Sequence, residues 1–175
     1  MTDLESRCLE AFPSWLRTLG DDARALAALV EADGAEPARR AAATALNYLF
    51  KSLDLIPDGI EDLGFIDDAF VLRSGAALAV ADGISEPALA KLAEDAPLVR
   101  EFLGDDYARL ETYVRGLGKG SVRGRTVDDI LSDATVRGEF VREVKSWADG
   151  YAAPTFQRDA KNLVKLKSFL STKLP

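Results

Sequence analysis

The chain has 175 residues, 47% of them hydrophobic and 29% charged, with a net charge of −7; this is the profile of a globular domain large enough to bury a core without staples. It contains no histidine, which excludes Ser-His-Asp and Cys-His catalysis, histidine-ligated zinc and imidazole pH switches. One cysteine, Cys8, excludes an internal disulfide and fits a reducing compartment.

Charge is unevenly spread. Residues 1–119 hold 12 basic and 22 acidic side chains, whereas 120–175 hold 10 and 7. The acidic part argues against nucleic acid as a partner, and the basic C-terminal third leaves room for anionic ones. The opening MTDLESRCLE has no basic region before an apolar run, so no signal peptide is expected. The longest uncharged runs, 41–50 and 74–81, are too short for the roughly 18–20 residues a bilayer span needs. A cytoplasmic protein is expected.

Nearly every segment carries a helical period. Thr2 and Glu5 make a capping box for a first helix with Leu4, Cys8 and Phe12 on one face, and Cys8 reads as a buried structural thiol. Pro13 kinks or restarts this helix, and Gly20 is a natural stop. Asp21 or Asp22 opens a second helix that closes at Gly34. Pro37 suits the first turn of a third, through Ala42, Leu46 and Phe50. Ile56-Pro57-Asp58-Gly59 reads as a type I turn, and Asp67 and Asp68 stand where a fourth helix begins, favoured by its dipole. The small residues of SGAALAVA would let a neighbouring helix come close. Ser85 caps a fifth helix, Asp95 with Pro97 starts a short one ending at Gly104, and Asp105 caps the next. The run 116–126, GLGKGSVRGRT, breaks the chain. Thr126 caps a short turn, a longer helix follows to Gly150, and a last helix runs on after Pro154.

The expected fold is therefore all-α: a compact bundle of about seven to nine helices built around a helical hairpin, 37–52 and 67–82. Residues 1–118 are expected to form a helical domain, with 119–175 a helical extension packed on the same body.

The stretch DLIPDGIEDLGFIDD, 54–68, lies at the tip of that hairpin. It holds six carboxylates, Asp54, Asp58, Glu61, Asp62, Asp67 and Asp68, and no base. Interleaved with them are Leu55, Ile56, Ile60, Leu63, Phe65 and Ile66, more apolar residues than a solvated loop requires. Together with its flanks, YLFKSLDLIPDGIEDLGFIDDAFVL resembles the YkvA-like family, domain of unknown function 1232, over about residues 37–82. The resemblance is carried by Tyr48, Leu49, Asp54, Leu55, Ile56, Pro57, Asp58, Ile60, Leu63, Gly64, Asp67 and Asp68. Ser52 and Glu61 stand where that family usually has proline, which implies a less rigid and more acidic loop. The resemblance implies a small helical module, found in bacterial proteins and sometimes close to membrane segments, and it implies no activity.

Three constellations carry chemistry. The six carboxylates suit a hard divalent cation, calcium or magnesium, but specific templates fail. An EF-hand from Asp54 would meet Ile56 and Phe65 at ligand positions, and a DDxxD pattern from Asp67 would meet Val71. The favoured reading has Asp54, Asp58, Asp67 and Asp68 capping helix ends and turns. Three or more of these carboxylates converging within about 5 Å in a solvent-connected cleft would favour a metal-dependent enzyme, because metal–oxygen distances of roughly 2.1–2.5 Å demand such convergence; a backbone N–H donated to each at a helix start would count against it. Second, Lys119, Arg123, Arg125 and Thr126 could cradle an anion at a helix start, although Gly120-Ser121 lacks the lysine of a phosphate loop. Third, residues 155–173 form a basic amphipathic helix suited to an anionic membrane surface or to its own acidic body. With no catalytic motif, the expectation is a non-enzymatic interaction or scaffolding module with an unidentified protein partner. A carboxylate-based metal-binding protein or enzyme and a peripheral membrane adaptor are the alternatives.

Overall fold

The computed structural model describes residues 1–51 and 54–175; Ser52, one of the two departures from the family pattern, lies outside them. The fold is all-α. Among the described residues there are nine α-helices: α1 (Asp3–Glu31), α2 (Glu36–Tyr48), α3 (Ile66–Ala81), α4 (Pro87–Ala93), α5 (Ala96–Leu103), α6 (Asp106–Gly116), α7 (Val127–Ser132), α8 (Ala134–Gly150) and α9 (Ala160–Lys173). None is long and apolar enough to cross a membrane.

α3 is the centre of the bundle. Its apolar residues lie all round it, as a helix buried on every side requires, and it packs against α1, α2, α4, α5 and α6. The small-residue stretch lies against its neighbours: a Cβ on Gly75 would be in ordinary contact, 3.6 Å from Val114 on α6 and 3.8 Å from Ala45 on α2. α2 and α3 form the hairpin, and α8 and α9 pack on α1. Phe12, Trp15, Phe70, Phe102 and Phe156 meet in tilted and edge-on contacts at 5.0–6.2 Å. Cys8 is fully buried among these helices, and burial pushes its thiol up to about 11.

The expected break at Gly20 does not occur: α1 is one helix of 29 residues containing Pro13. Proline has no N–H for the carbonyl four residues back, which is Leu9. Arg158 supplies the donor instead, its Nε reaching the Leu9 oxygen at 3.0 Å. Gly20 faces α8, where a Cβ would stand 3.5 Å from the Ala148 oxygen and the Tyr151 ring. Tertiary partners thus outweigh two local stop signals.

Several caps also shift. α4 starts from Glu86, not Ser85, without a side-chain cap. Neither Asp95 nor Asp105 caps its helix through its side chain, and Asp95 instead binds Arg73 at 3.0 Å. α2 ends at Tyr48, and Leu49, Phe50 and Lys51 continue in tighter turns. α9 begins only at Ala160, with Asp159 accepting the Asn162 N–H. The capping boxes at Thr2/Glu5 and Thr126/Asp129 both form.

A candidate cation site in the hairpin connection

The connection is shaped by backbone contacts. Its first turn closes by Ile60 N–H to Pro57 O at 3.0 Å, one residue later than the proline and glycine spacing predicts; the next closes by Gly64 N–H to Ile60 O at 3.0 Å. Gly64 lies against the Asp58 carbonyl so tightly that a Cβ would stand 2.3 Å from that oxygen. Asp62 and Phe65 are both left-handed, with φ of 65°, a costly conformation for a bulky ring. Phe65 is held there by Tyr151 at 5.4 Å and Trp147 at 6.1 Å. The chain therefore doubles back, bringing Asp58 beside the first turn of α3.

There the carboxylates of Asp58, Asp67 and Asp68 each offer an oxygen, and the three oxygens lie within 4.8 Å of one another. Asp67 and Asp68 are buried and Asp58 is exposed. The expected capping role is not what Asp67 and Asp68 perform. The N-cap of α3 is Phe65, with no side-chain cap, and the two aspartates lie inside the helix. The geometric reason is the left-handed Phe65, which sets the helix start one residue before Asp67 and turns both carboxylates inward.

Asp67 Oδ2 is held from two sides. Tyr48 donates its hydroxyl at 2.6 Å and Ile56 its N–H at 3.3 Å, while the Tyr48 oxygen accepts the Leu55 N–H at 2.9 Å. Tyr48 thus ties the end of α2, the connection and α3 together. Its site role is readable from sequence only through the general need of a buried tyrosine for a polar partner. The remaining oxygens, Asp67 Oδ1 and Asp68 Oδ2, together with Asp54 Oδ1, are buried and have no hydrogen-bond partner among the described residues.

Electrostatics point the same way. Burial pushes the Asp54 carboxyl up to about 7, helped by the charges of Asp67 and Asp58. Burial likewise raises Asp58, Asp67 and Asp68, and for Asp68 the neighbouring acids add repulsion. Among the described residues, no lysine or arginine forms an ion pair with these four. The buried base of the core, Arg73, is committed to Asp22 and Asp95 and lies 4.4 Å over the Trp15 ring. Buried carboxylates without an ion-pair partner call for protons or a metal ion.

Glu61 and Asp62 stand apart from the cluster. Their backbone carbonyls are the groups in use, accepting from Lys165 at 3.2 Å and Asn162 at 3.0 Å on α9. The predicted anion cradle is divided. Thr126 spends its hydroxyl on Asp129, and Arg125 reaches Glu143 and lies 5.2 Å from the Phe140 ring centroid. Lys119 ends a 3-10 turn, Leu117–Lys119, while Arg123 lines a cleft with Asp54 and Asp58.

Fold and geometry define an all-α protein with a carboxylate-lined hairpin connection. The family model described as a protein of unknown function, DUF1232, matches residues 38–72, which span most of α2, the connection and the start of α3. No curated protein and no solved structure matches the chain.

Proposed function

We propose that this protein binds a hard divalent cation, calcium or magnesium, through Asp58, Asp67 and Asp68, with Asp54 beside them. The observation that carries the reading is the convergence of three carboxylates within 4.8 Å, two of them buried with unpartnered oxygens. Two oxygens bound to one calcium ion, each at roughly 2.3–2.6 Å, can stand at most about 4.6–5.2 Å apart, and the three carboxylate oxygens lie within 4.8 Å of one another. The all-oxygen donor set suits these ions rather than zinc or copper. The exposed Asp58 leaves one side open to water or to a further ligand.

The scaffolding reading expected from the sequence has less local support. Among the described residues the large apolar side chains left exposed are Met1, Val80 and Val164, which lie on separate elements. The membrane reading would have to rely on the lysines of α9, because Leu163, Leu166 and Leu170 are buried in the protein's own body.

Titration calorimetry of calcium and of magnesium into chelator-stripped protein tests the proposal. Saturable binding at one site per chain is expected, and Asp67→Asn weakens it by about tenfold or more. If millimolar cation produces neither heat nor a rise in Tm, the proposal fails and the cluster is a proton-sharing structural group.

A further inference from the structure

The cation site opens on a cleft of about 930 Å³, within the range of roughly 300–1,000 Å³ typical of small-molecule sites. Asp58 belongs to both. Three bases, Lys51, Arg123 and Lys173, line the same cleft, and the Lys51 charge acts on Asp54. They come from the end of the α2 turns, from the basic glycine loop and from the end of α9, so the fold, not one basic run, gathers them.

Two of these bases are held in place by aromatic side chains. The Lys51 ammonium donates to the Tyr113 hydroxyl at 3.0 Å and lies 4.8 Å from that ring's centroid. The Arg123 guanidinium lies 4.5 Å over the Phe50 ring and reaches Glu143 only at 3.8 Å. Lys173 has no ion-pair partner among the described residues. Acids and bases lining one cleft match a ligand that is itself anionic but approaches through a cation. Phosphate esters have this character: magnesium commonly bridges one or two protein carboxylates to substrate phosphates, and arginine and lysine take the outer phosphate oxygens.

We infer that the cleft binds a small phosphorylated molecule, its phosphate completing the shell of a cation held by Asp58, Asp67 and Asp68 while Lys51, Arg123 and Lys173 balance its charge. The inference rests on the cation reading above and adds the ligand class. Phe50 and Val122 on the same lining supply apolar surface for the rest of such a molecule.

The test uses the full chain, inorganic pyrophosphate as probe, and manganese as a separate reporter of the cation site. At saturating magnesium, calorimetry should show saturable pyrophosphate binding that is lost in chelator. The double substitution Arg123→Gln with Lys173→Gln should weaken it by about tenfold or more, leaving Tm and manganese binding, read by electron paramagnetic resonance, unchanged. If manganese binds in an Asp67-dependent way but pyrophosphate does not bind, or binds equally to the double variant, this inference falls and the cation reading stands. Equal pyrophosphate binding in chelator overturns the bridged arrangement. If manganese does not bind, both fall.

Discussion

Gly64 shows how one residue type can set a site. Its backbone touches the Asp58 carbonyl, and any side chain would have to push the two segments apart. Its small size, not left-handed backbone, is what the position demands. Gly64→Ala is expected to cost roughly 1–3 kcal/mol, the usual range for overpacking a closed contact, measured by urea denaturation in chelator. Because the displaced residue is a proposed ligand, cation affinity should fall in the same variant; stability unchanged from the wild type would show that the contact relaxes freely. Tyr48 and Asp67 illustrate the complementary lesson. Each is legible as part of a family pattern, yet the hydroxyl-to-carboxylate bond of 2.6 Å joins residues nineteen apart and has no local sequence signal.

At the scale of elements, α1 and α9 depart furthest from local rules. Pro13 and Gly20 are stop signals, and α1 runs through both because Arg158 satisfies the carbonyl that proline orphans and α8 crosses at the glycine. Arg158→Ala is expected to destabilise the protein by about 1–2 kcal/mol, the worth of a charge-assisted hydrogen bond to a shielded carbonyl. In a Pro13→Ala background residue 13 regains its N–H and that cost should shrink, so a double-mutant cycle by denaturation would read a coupling between two positions 145 apart in number. Additive costs would remove Arg158 from this role. α9 is tied in along its length. Its apolar side faces the core, and Asn162 and Lys165 grip the backbone of the acidic connection at Asp62 and Glu61. The two carboxylates least explained by turn chemistry thus mark a mechanical attachment made through their carbonyls.

For the molecule as a whole, the buried acids make stability depend on pH in a definite direction. Asp54, Asp67 and Asp68 titrate higher in the folded state than the ordinary carboxylate value near 4. The folded protein therefore binds more protons than the unfolded chain. The stability these groups contribute is fully present below about pH 4 and is lost as pH rises towards about 7. In chelator, the wild-type Tm should fall relative to an Asp67→Asn, Asp68→Asn double variant between pH 5 and pH 7.5, by the equivalent of about 1–2 kcal/mol. Added calcium or magnesium should restore the loss at the upper end, because it takes the place of the protons. Parallel pH profiles for the two proteins would count against buried, uncompensated carboxylates.

Helical periodicity, the Thr2/Glu5 capping box and most of the proline and glycine punctuation pointed to the all-α class and the hairpin from the sequence alone, because those signals act within a few residues of one another. The acidic connection was likewise legible as the unusual stretch, its acids and apolar residues in plain view. What it builds was not. Asp67 and Asp68 look like helix-starting caps when only the next few residues are considered; their turn towards Asp58 depends on a left-handed Phe65 held by Trp147 and Tyr151 on and after α8. The cleft bases Lys51, Arg123 and Lys173 lie far apart in the chain, and no local rule brings them together. Carboxylate convergence and the gathering of distant bases into the same cleft are properties of distance in space, so only the tertiary structure decided them.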